Sequence, residues 1–351
     1  IRRPPRSTRK ESSAASDVYK RQKLYTGTGS TNAQTGVGFQ PDLLWNKSRT
    51  TADNHLLYDS IRGITKTLSP DLNSVESTRD STFLTSIDSD GFTVGSNGNI
   101  NANGESFVMW NWKANGAGSA NTDGSINSTV SANTTSGFSI VSYTGTGANA
   151  TIGHGLGSVP KMIIVKDRDN ASAWWVYHTS LGATKRIQLE DNSAASTNST
   201  TWNDTEPTSS VFSVGTYDQV NGNGINYIAY CFAEKQGYSK FGSYVGNGNA
   251  DGSFIYTGFK PAFVICKSSS HAESWGMFDS KRELFNDGAT NVVYANSNVV
   301  ENNSYGVDFL SNGFKQRNTN SNVNASGYNM IYMAFAEAPL VGSNNVPCTA
   351  R

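Results

Sequence analysis

Four histidines, His55, His154, His178 and His271, are the first candidates for proton transfer or metal ligation. They form no His-x-His, His-x-x-His or HExxH pattern, whereas a zinc site needs three or four converging ligands. No Gly-x-Ser-x-Gly elbow is present, which speaks against an α/β-hydrolase. The GHGLG run at 153–157 invites a phosphate reading. It leads into a proline and an apolar run of strand type, not the helix N-terminus that a phosphate loop needs. NGNADG at 247–252 resembles half a calcium loop through Asn247, Asn249, Asp251 and Gly252, but its twelfth position is Gly258 where a bidentate glutamate is required. It reads as an Asn/Gly turn. Asp59 and Asp279 share one repeat position, where Thr179 stands in the second repeat, and a turn or capping role fits them. No catalytic residue, metal ligand or cofactor site is assigned, and the chain is not expected to be an enzyme.

Tryptophan offers a different chemistry. Indole faces beside Asn, Asp and Thr suit sugar stacking, so Trp174, Trp175 and Trp202, with Asn149 and Asn249 on neighbouring loops, are the candidate ligand contacts. Trp275 reads as core. Trp174 and Trp175 are adjacent and must point to opposite faces of a strand, which makes one of them a candidate for exposure.

The elements that position these residues recur. Residues 25–47 (YTGTGSTNAQTGVGFQPDLLWNK), 143–166 (YTGTGANATIGHGLGSVPKMIIVK) and 244–267 (YVGNGNADGSFIYTGFKPAFVICK) are one phrase in three versions. Pro41, Pro160 and Pro261 align, as do Lys47, Lys166 and Lys267. HLLYDS at 55–60, WWVYHTS at 174–180 and WGMFDS at 275–280 form a second anchor, and Gly91–Phe92, Val211–Phe212 and Gly313–Phe314 a third. The closing strands FVMWNWKA, YIAYCFAE and MIYMAFAE begin at 107, 227 and 330. A period near 100 means whole domains in tandem rather than solenoid units.

Short β-branched and aromatic runs between Gly and Asn clusters predict an all-β protein of three tandem antiparallel β-sandwich domains, jelly-roll-like. Repeat one is expected over 23–115, repeat two over 137–236 and repeat three over 237–340, with a C-terminal tail over 341–351. The small polar stretch 116–136 reads as a flexible linker that leaves room for a short strand around Ile126. Repeats two and three share a short junction, so they are expected to be the more rigidly related pair. In the closing strands Val108, Trp110 and Trp112, then Ile228, Tyr230 and Phe232, then Ile331, Met333 and Phe335 alternate with smaller residues. The large face is expected to meet the facing sheet of its own sandwich.

Residues 1–22 depart from this pattern. They are basic, lack apolar periodicity, and SSAASDVYKRQ resembles a translated sequencing adaptor, as at the edges of metagenomic gene calls. The alternative is a disordered basic arm that touches nucleic acid. The segment holds seven of the 28 basic and two of the 28 acidic residues, which leaves 21 against 26 and a body near −5. That gives no nucleic-acid footprint. No apolar run approaches the length of a membrane span, so membrane insertion is not expected. Cys231, Cys266 and Cys348 are odd in number and read as buried or incidental thiols.

The phrases GFSIVSYTGTG, GHGLGSVPKMIIVKDR, YIAYCFAEKQGYSKFGSYVGNGNADG, DFLSNGFK and YMAFAEAPLVGSNNVPCTAR resemble an uncharacterised repeat domain of marine bacteriophage structural, tail-fibre-like proteins. The resemblance covers about residues 23–351. It implies a non-enzymatic virion component, made in the cytoplasm of the bacterial host, that adheres to a host-surface glycan or receptor and contacts other virion proteins. By analogy it implies a homo-oligomer, a trimer. A polysaccharide depolymerase of jelly-roll type and a capsid or tail decoration protein are the alternatives.

Overall fold

The structure, a computed structural model, describes residues 19–282, 286 and 290–337. Residues 1–18, Cys348 and the tail over 341–351 lie outside them. The chain is all-β and antiparallel, and the helices among the described residues are single turns of four residues. Each sequence repeat builds one large sheet with its closing strand inside. The first sheet runs in the order Lys20–Thr26, Ser106–Trp112, Leu43–Ser48, Leu56–Asp59. The second runs Phe138–Thr144, Asn226–Ala233, Pro160–Asp167, Trp174–His178. The third runs Ser239–Val245, Asn329–Ala336, Pro261–Ser268, Gly276–Asp279. Proline is tolerated because Pro160 and Pro261 are first residues of their strands, each followed by a register shift. A smaller sheet accompanies each large one: Asn32–Gln34 with Gly91–Val94 and Leu84–Asp88, Ala150–Gly153 with Val211–Val214, and Phe254–Tyr256 with Gly313–Gln316 and Val307–Leu310.

The large faces of the closing strands do not meet the smaller sheets. Val108, Trp110, Trp112, Ile228, Tyr230, Phe232, Ile331, Met333 and Phe335 belong to one core cluster common to all three repeats. The intervening residues face the smaller sheets: Phe107 and Met109 pack with Phe92 and Val94, and Tyr227, Ala229 and Cys231 with Phe212 and Val214. Period two tells that two faces exist, not which neighbour each meets. The bulkier side chains fill the wider space where three sheets converge. At its middle Trp112, Phe232 and Phe335, one from each repeat at equivalent register, form a triangle with ring centroids 6.5, 6.2 and 6.1 Å apart. Each such burial contributes roughly 1.5–3 kcal/mol.

The seams close in a cycle. Glu76 N–H donates to Arg168 O, Ala195 N–H to Ser269 O, and Glu301 N–H to Arg49 O, at 3.0, 2.9 and 3.0 Å. Repeat one thus holds repeat two, repeat two holds repeat three, and repeat three returns to repeat one. Ion pairs reinforce two seams, Arg168–Glu76 at 2.9 Å and Arg49–Glu301 at 2.6 Å. Repeats two and three are therefore not a privileged pair.

The stretch 116–136 is not a flexible linker. Ser119–Asn121 and Ser128–Asn133 are strands that extend the second sheet beyond Phe138–Thr144. Ile126 makes a parallel bridge to Ile152. Asp42 anchors its entry, accepting from Ala114 N–H at 2.6 Å and Gly116 N–H at 2.9 Å. Small polar side chains still carry a full backbone ladder, and the neighbouring sheet edge satisfies it. The N-terminal boundary also moves: Lys20, Arg21 and Gln22 are part of the first strand and pair with Trp112, Asn111 and Trp110.

Candidate interaction surface

The Tyr–Thr–Gly opening is fixed by a residue set that sequence comparison missed. Each smaller sheet is followed by a one-turn helix, Gly98–Asn101, Asp218–Asn221 or Ser321–Asn324, ending in a buried asparagine. Asn221 Oδ1 accepts from Thr146 N–H at 2.9 Å, and its Nδ2 donates to Ala148 O and Gly215 O at 2.6 and 2.8 Å. Asn101 holds Thr28, Ser30 and Gly95 in the same way, and Asn324 holds Asn247, Asn249 and Asn318. Tyr25, Tyr143 and Tyr244 brace these helices by donating to Ile100 O, Val220 O and Val323 O at 2.6, 2.7 and 2.8 Å. The glycine of the opening is needed for close approach. A Cβ on Gly27, Gly145 or Gly246 would fall on the carbonyl oxygen of Ala102, Gly222 or Ala325. The signal was present as Ile/Val–Asn–x–x–Gly at 100–104, 220–224 and 323–327. The segments after the opening, 30–36, 149–155 and 249–256, are partly edge strands rather than free loops.

The aligned lysines are structural. Lys47, Lys166 and Lys267 are buried and donate to backbone carbonyls. Lys166 reaches Ser172 O at 2.8 Å and Asn73 O of repeat one at 3.4 Å; Lys267 reaches Ser268 O at 2.6 Å and Asn192 O of repeat two at 3.2 Å. Burial pulls all three down to about 8, against the partial pull of nearby carboxylates.

Strand register corrects the position matched to Asp59 and Asp279. Leu43 pairs Asp59, Met162 pairs His178 and Phe263 pairs Asp279, so His178, not Thr179, is their counterpart. Asp59 Oδ1 accepts from Arg62 N–H at 2.8 Å and Asp279 Oδ1 from Arg282 N–H at 3.0 Å, which is the turn role expected. Their Oδ2 atoms also reach across the seams, to Tyr230 OH at 2.7 Å and Trp110 Nε1 at 3.0 Å. The third counterpart of Tyr230 and Trp110 is Met333, which has no donor. There His178 Nε2 sits 3.1 Å from Tyr332 O instead. Burial lowers His178 to about 4.

The tryptophan candidates do not form a sugar platform. Trp174 is buried in the common core with Nε1 donating to Ser69 O and Leu72 O. Trp175 and Trp202 are buried on the other face among the side chains of repeat two. Both faces of the strand are covered because the centre takes one and the smaller sheet the other, so adjacency gives neither residue to solvent. Trp275 is buried, with Nε1 donating to Gln188 O at 2.7 Å. Asn149 and Asn249 are exposed. Asn249 Oδ1 accepts from Asp251 N–H at 2.8 Å, the Asn turn expected of NGNADG. His154 is buried and structural, accepting from Leu156 N–H through Nδ1. Among the described residues no group of three His, Cys, Asp or Glu side chains could hold a metal ion. Cys231 and Cys266 are buried free thiols.

The surface does carry aromatics elsewhere. Phe254 and Tyr256 are 46% and 62% exposed on the edge strand of the third smaller sheet, with Ile255 between them turned inward. Beside them Asp251 Oδ1 pairs with Lys315 Nζ at 2.6 Å and Arg317 Nη1 at 3.1 Å, and Arg317 Nε with Asp308 at 3.3 Å.

A family model, for a domain of unknown function (DUF7483), matches residues 14–339, across all three repeats. The chain belongs to the DUF7483 family. The DUF7483 match includes the first strand from Lys20 and all three closing strands, so its unit is the closed set of three repeats rather than one of them. No curated protein and no solved structure matches the chain. Among its described residues no helix is long and apolar enough to cross a membrane.

Proposed function

We propose that the chain is a non-enzymatic component of a virion appendage, a tail-fibre-like protein in which three jelly-roll-like β-sandwiches present binding segments to a host-surface glycan or receptor. The observation that carries this reading is the contrast within each repeat. A buried asparagine, a bracing tyrosine and an obligatory glycine hold the base of a segment whose own sequence differs in every copy. Fixed bases with varied tips suit recognition on a rigid scaffold. The buried ionisable groups of the recurring positions, Asp59, Asp279, Lys47, Lys166 and Lys267, are bonded to backbone or across seams, which assigns them to the fold.

A homotrimer is expected by analogy, but the three closing strands already share one centre within a single chain, and this favours a monomer. Sedimentation of the purified chain tests this, with a monomer expected. Binding of labelled chain to intact host cells, together with immunogold labelling of virions, tests the appendage reading. Saturable binding and label at an appendage are expected. Turnover of host polysaccharide would move the chain to the depolymerase class, and label over the head would make it a decoration protein.

A further inference from the structure

The three repeats act as internal controls for one another. Phe92, Phe212 and Phe314 pair with Gln34, Ile152 and Ile255 in the three smaller sheets. Phe254 and Tyr256 therefore stand where repeat one has Ala33 and Thr35 and repeat two has Thr151 and Gly153. The same fold is built twice without aromatics at these positions, so packing does not require them. The edges differ too. In repeat two Ser125 and Ile126 cover the corresponding strand, with Ile126 N–H donating to Thr151 O at 3.0 Å. In repeat three Phe254–Tyr256 is the edge strand of its sheet.

We propose that Phe254 and Tyr256 form a stacking platform for the sugar rings of an uncharged glycan. The two side chains alternate with buried Ile255 and so lie on one face, roughly 6.6 Å apart along the strand. The ring of Phe254 lies against Gly313, whose missing side chain leaves room for it, and Tyr256 is the more exposed of the two. Aromatic faces with a polar rim bind the C–H faces of sugars while rim groups take the hydroxyls. The rim here is balanced: Lys315 and Arg317 are matched by Asp251 and Asp308. A balanced rim offers no net attraction to a polyanion, which selects a neutral partner over nucleic acid or a sulfated chain. Both cations approach Asp251 Oδ1, and this side chain is 74% exposed, so it remains open to a sugar hydroxyl.

This site deepens the adhesion reading and rests on it. The test is isothermal titration of the full chain with uncharged gluco-, manno- and galacto-oligosaccharides and with a heparin oligosaccharide. At least one uncharged oligosaccharide should bind, and Phe254→Ala and Tyr256→Ala should each weaken it about tenfold or more. Val299→Ala, an exposed apolar residue of repeat three outside these segments, should leave binding unchanged. Both aromatic variants should keep the wild-type melting temperature, since the rings are exposed. The platform is overturned if no uncharged oligosaccharide binds, if binding survives Tyr256→Ala, or if heparin binds better. Self-association abolished by Tyr256→Ala would also overturn it, by making a second copy the occupant. Host-cell binding that survives both substitutions removes the platform and leaves adhesion standing. Oligosaccharide binding without cell binding does the reverse.

Discussion

The indole Nε1 of Trp110 donates to Asp279 Oδ2 at 3.0 Å, joining the closing strand of repeat one to the hairpin of repeat three across 169 positions of chain. Both groups are buried, and the acceptor is charged. Burial pushes Asp279 up, but Arg282 and Lys20 outweigh it and hold the carboxyl below its usual range. Trp110→Phe keeps most of the apolar contact and removes the donor, so it should cost about 1.5–3 kcal/mol. Trp110→Ala also opens a cavity and should cost about 3–5 kcal/mol. Urea denaturation of the two variants separates the bond from the packing. A Phe variant as stable as the parent would show that the bond contributes nothing.

Closure of the seams predicts cooperative unfolding. One repeat alone would expose the faces that meet at the centre, for repeat two Ile228, Tyr230 and Phe232. The full chain should show one denaturation transition by both tryptophan fluorescence and far-UV circular dichroism. A fragment over 137–236 should fail to give a dispersed amide NMR spectrum. A well-folded monomeric fragment would refute the shared core.

The asparagine bracket has a chemical signature. In Asn221→Asp a carboxylate oxygen replaces the amide that donates to Ala148 O and Gly215 O, and three oxygens then converge without a proton. The loss should be roughly 2–4 kcal/mol, more than for Asn221→Ala. Hydrogen exchange at Thr146 N–H, which Asn221 accepts, should quicken in both variants. Equal stability of Asp and Asn at this position would be inconsistent with the donor role.

Stability should fall on the acid side of neutrality and rise on the alkaline side up to about pH 10, for separate reasons. Burial lowers His55 to about 3 and His178 to about 4 from an ordinary 6.5. Between those values and 6.5 the unfolded chain binds more protons, so their contribution is complete above 6.5 and is lost as pH falls through that window. Each contributes a slope of up to about 1.4 kcal/mol per pH unit. His178→Gln should flatten part of the acid limb in melting temperature. On the alkaline side the lysines act in the same sense, at a higher pH. With Lys47, Lys166 and Lys267 near 8 in the fold and 10.5 outside it, stability should rise from about pH 8 toward 10. Buried tyrosines such as Tyr143 are raised well above 10, and their contribution is lost above that pH. A melting temperature that falls steadily from pH 8 would contradict the lysine assignment.

Much of the architecture could be read from local periodicity. The repeat anchors at Pro160, Lys166 and the closing strand mark true strand positions, because a strand's first residue and its alternation leave a local trace. The turn role of Asp59 was also legible, since its backbone partners lie two and three residues on. The asparagine bracket leaves only a short trace, Ile/Val–Asn–x–x–Gly, within a glycine- and asparagine-rich sequence. Exposure was not legible for Trp174 and Trp175, because their strand has partners on both faces and sequence names neither.

Taken alone, the sequence determined the all-β class, the threefold repetition and the order of strands within each repeat, since each depends on residues close along the chain. Only the tertiary structure decided that the repeats close on one another, that Trp110 meets Asp279, that residues 116–136 are ordered, and that Phe254 and Tyr256 remain at the surface. Those outcomes depend on which faces meet across 100 or more residues. Alternation fixes two faces for every strand, and only packing decides what each one touches.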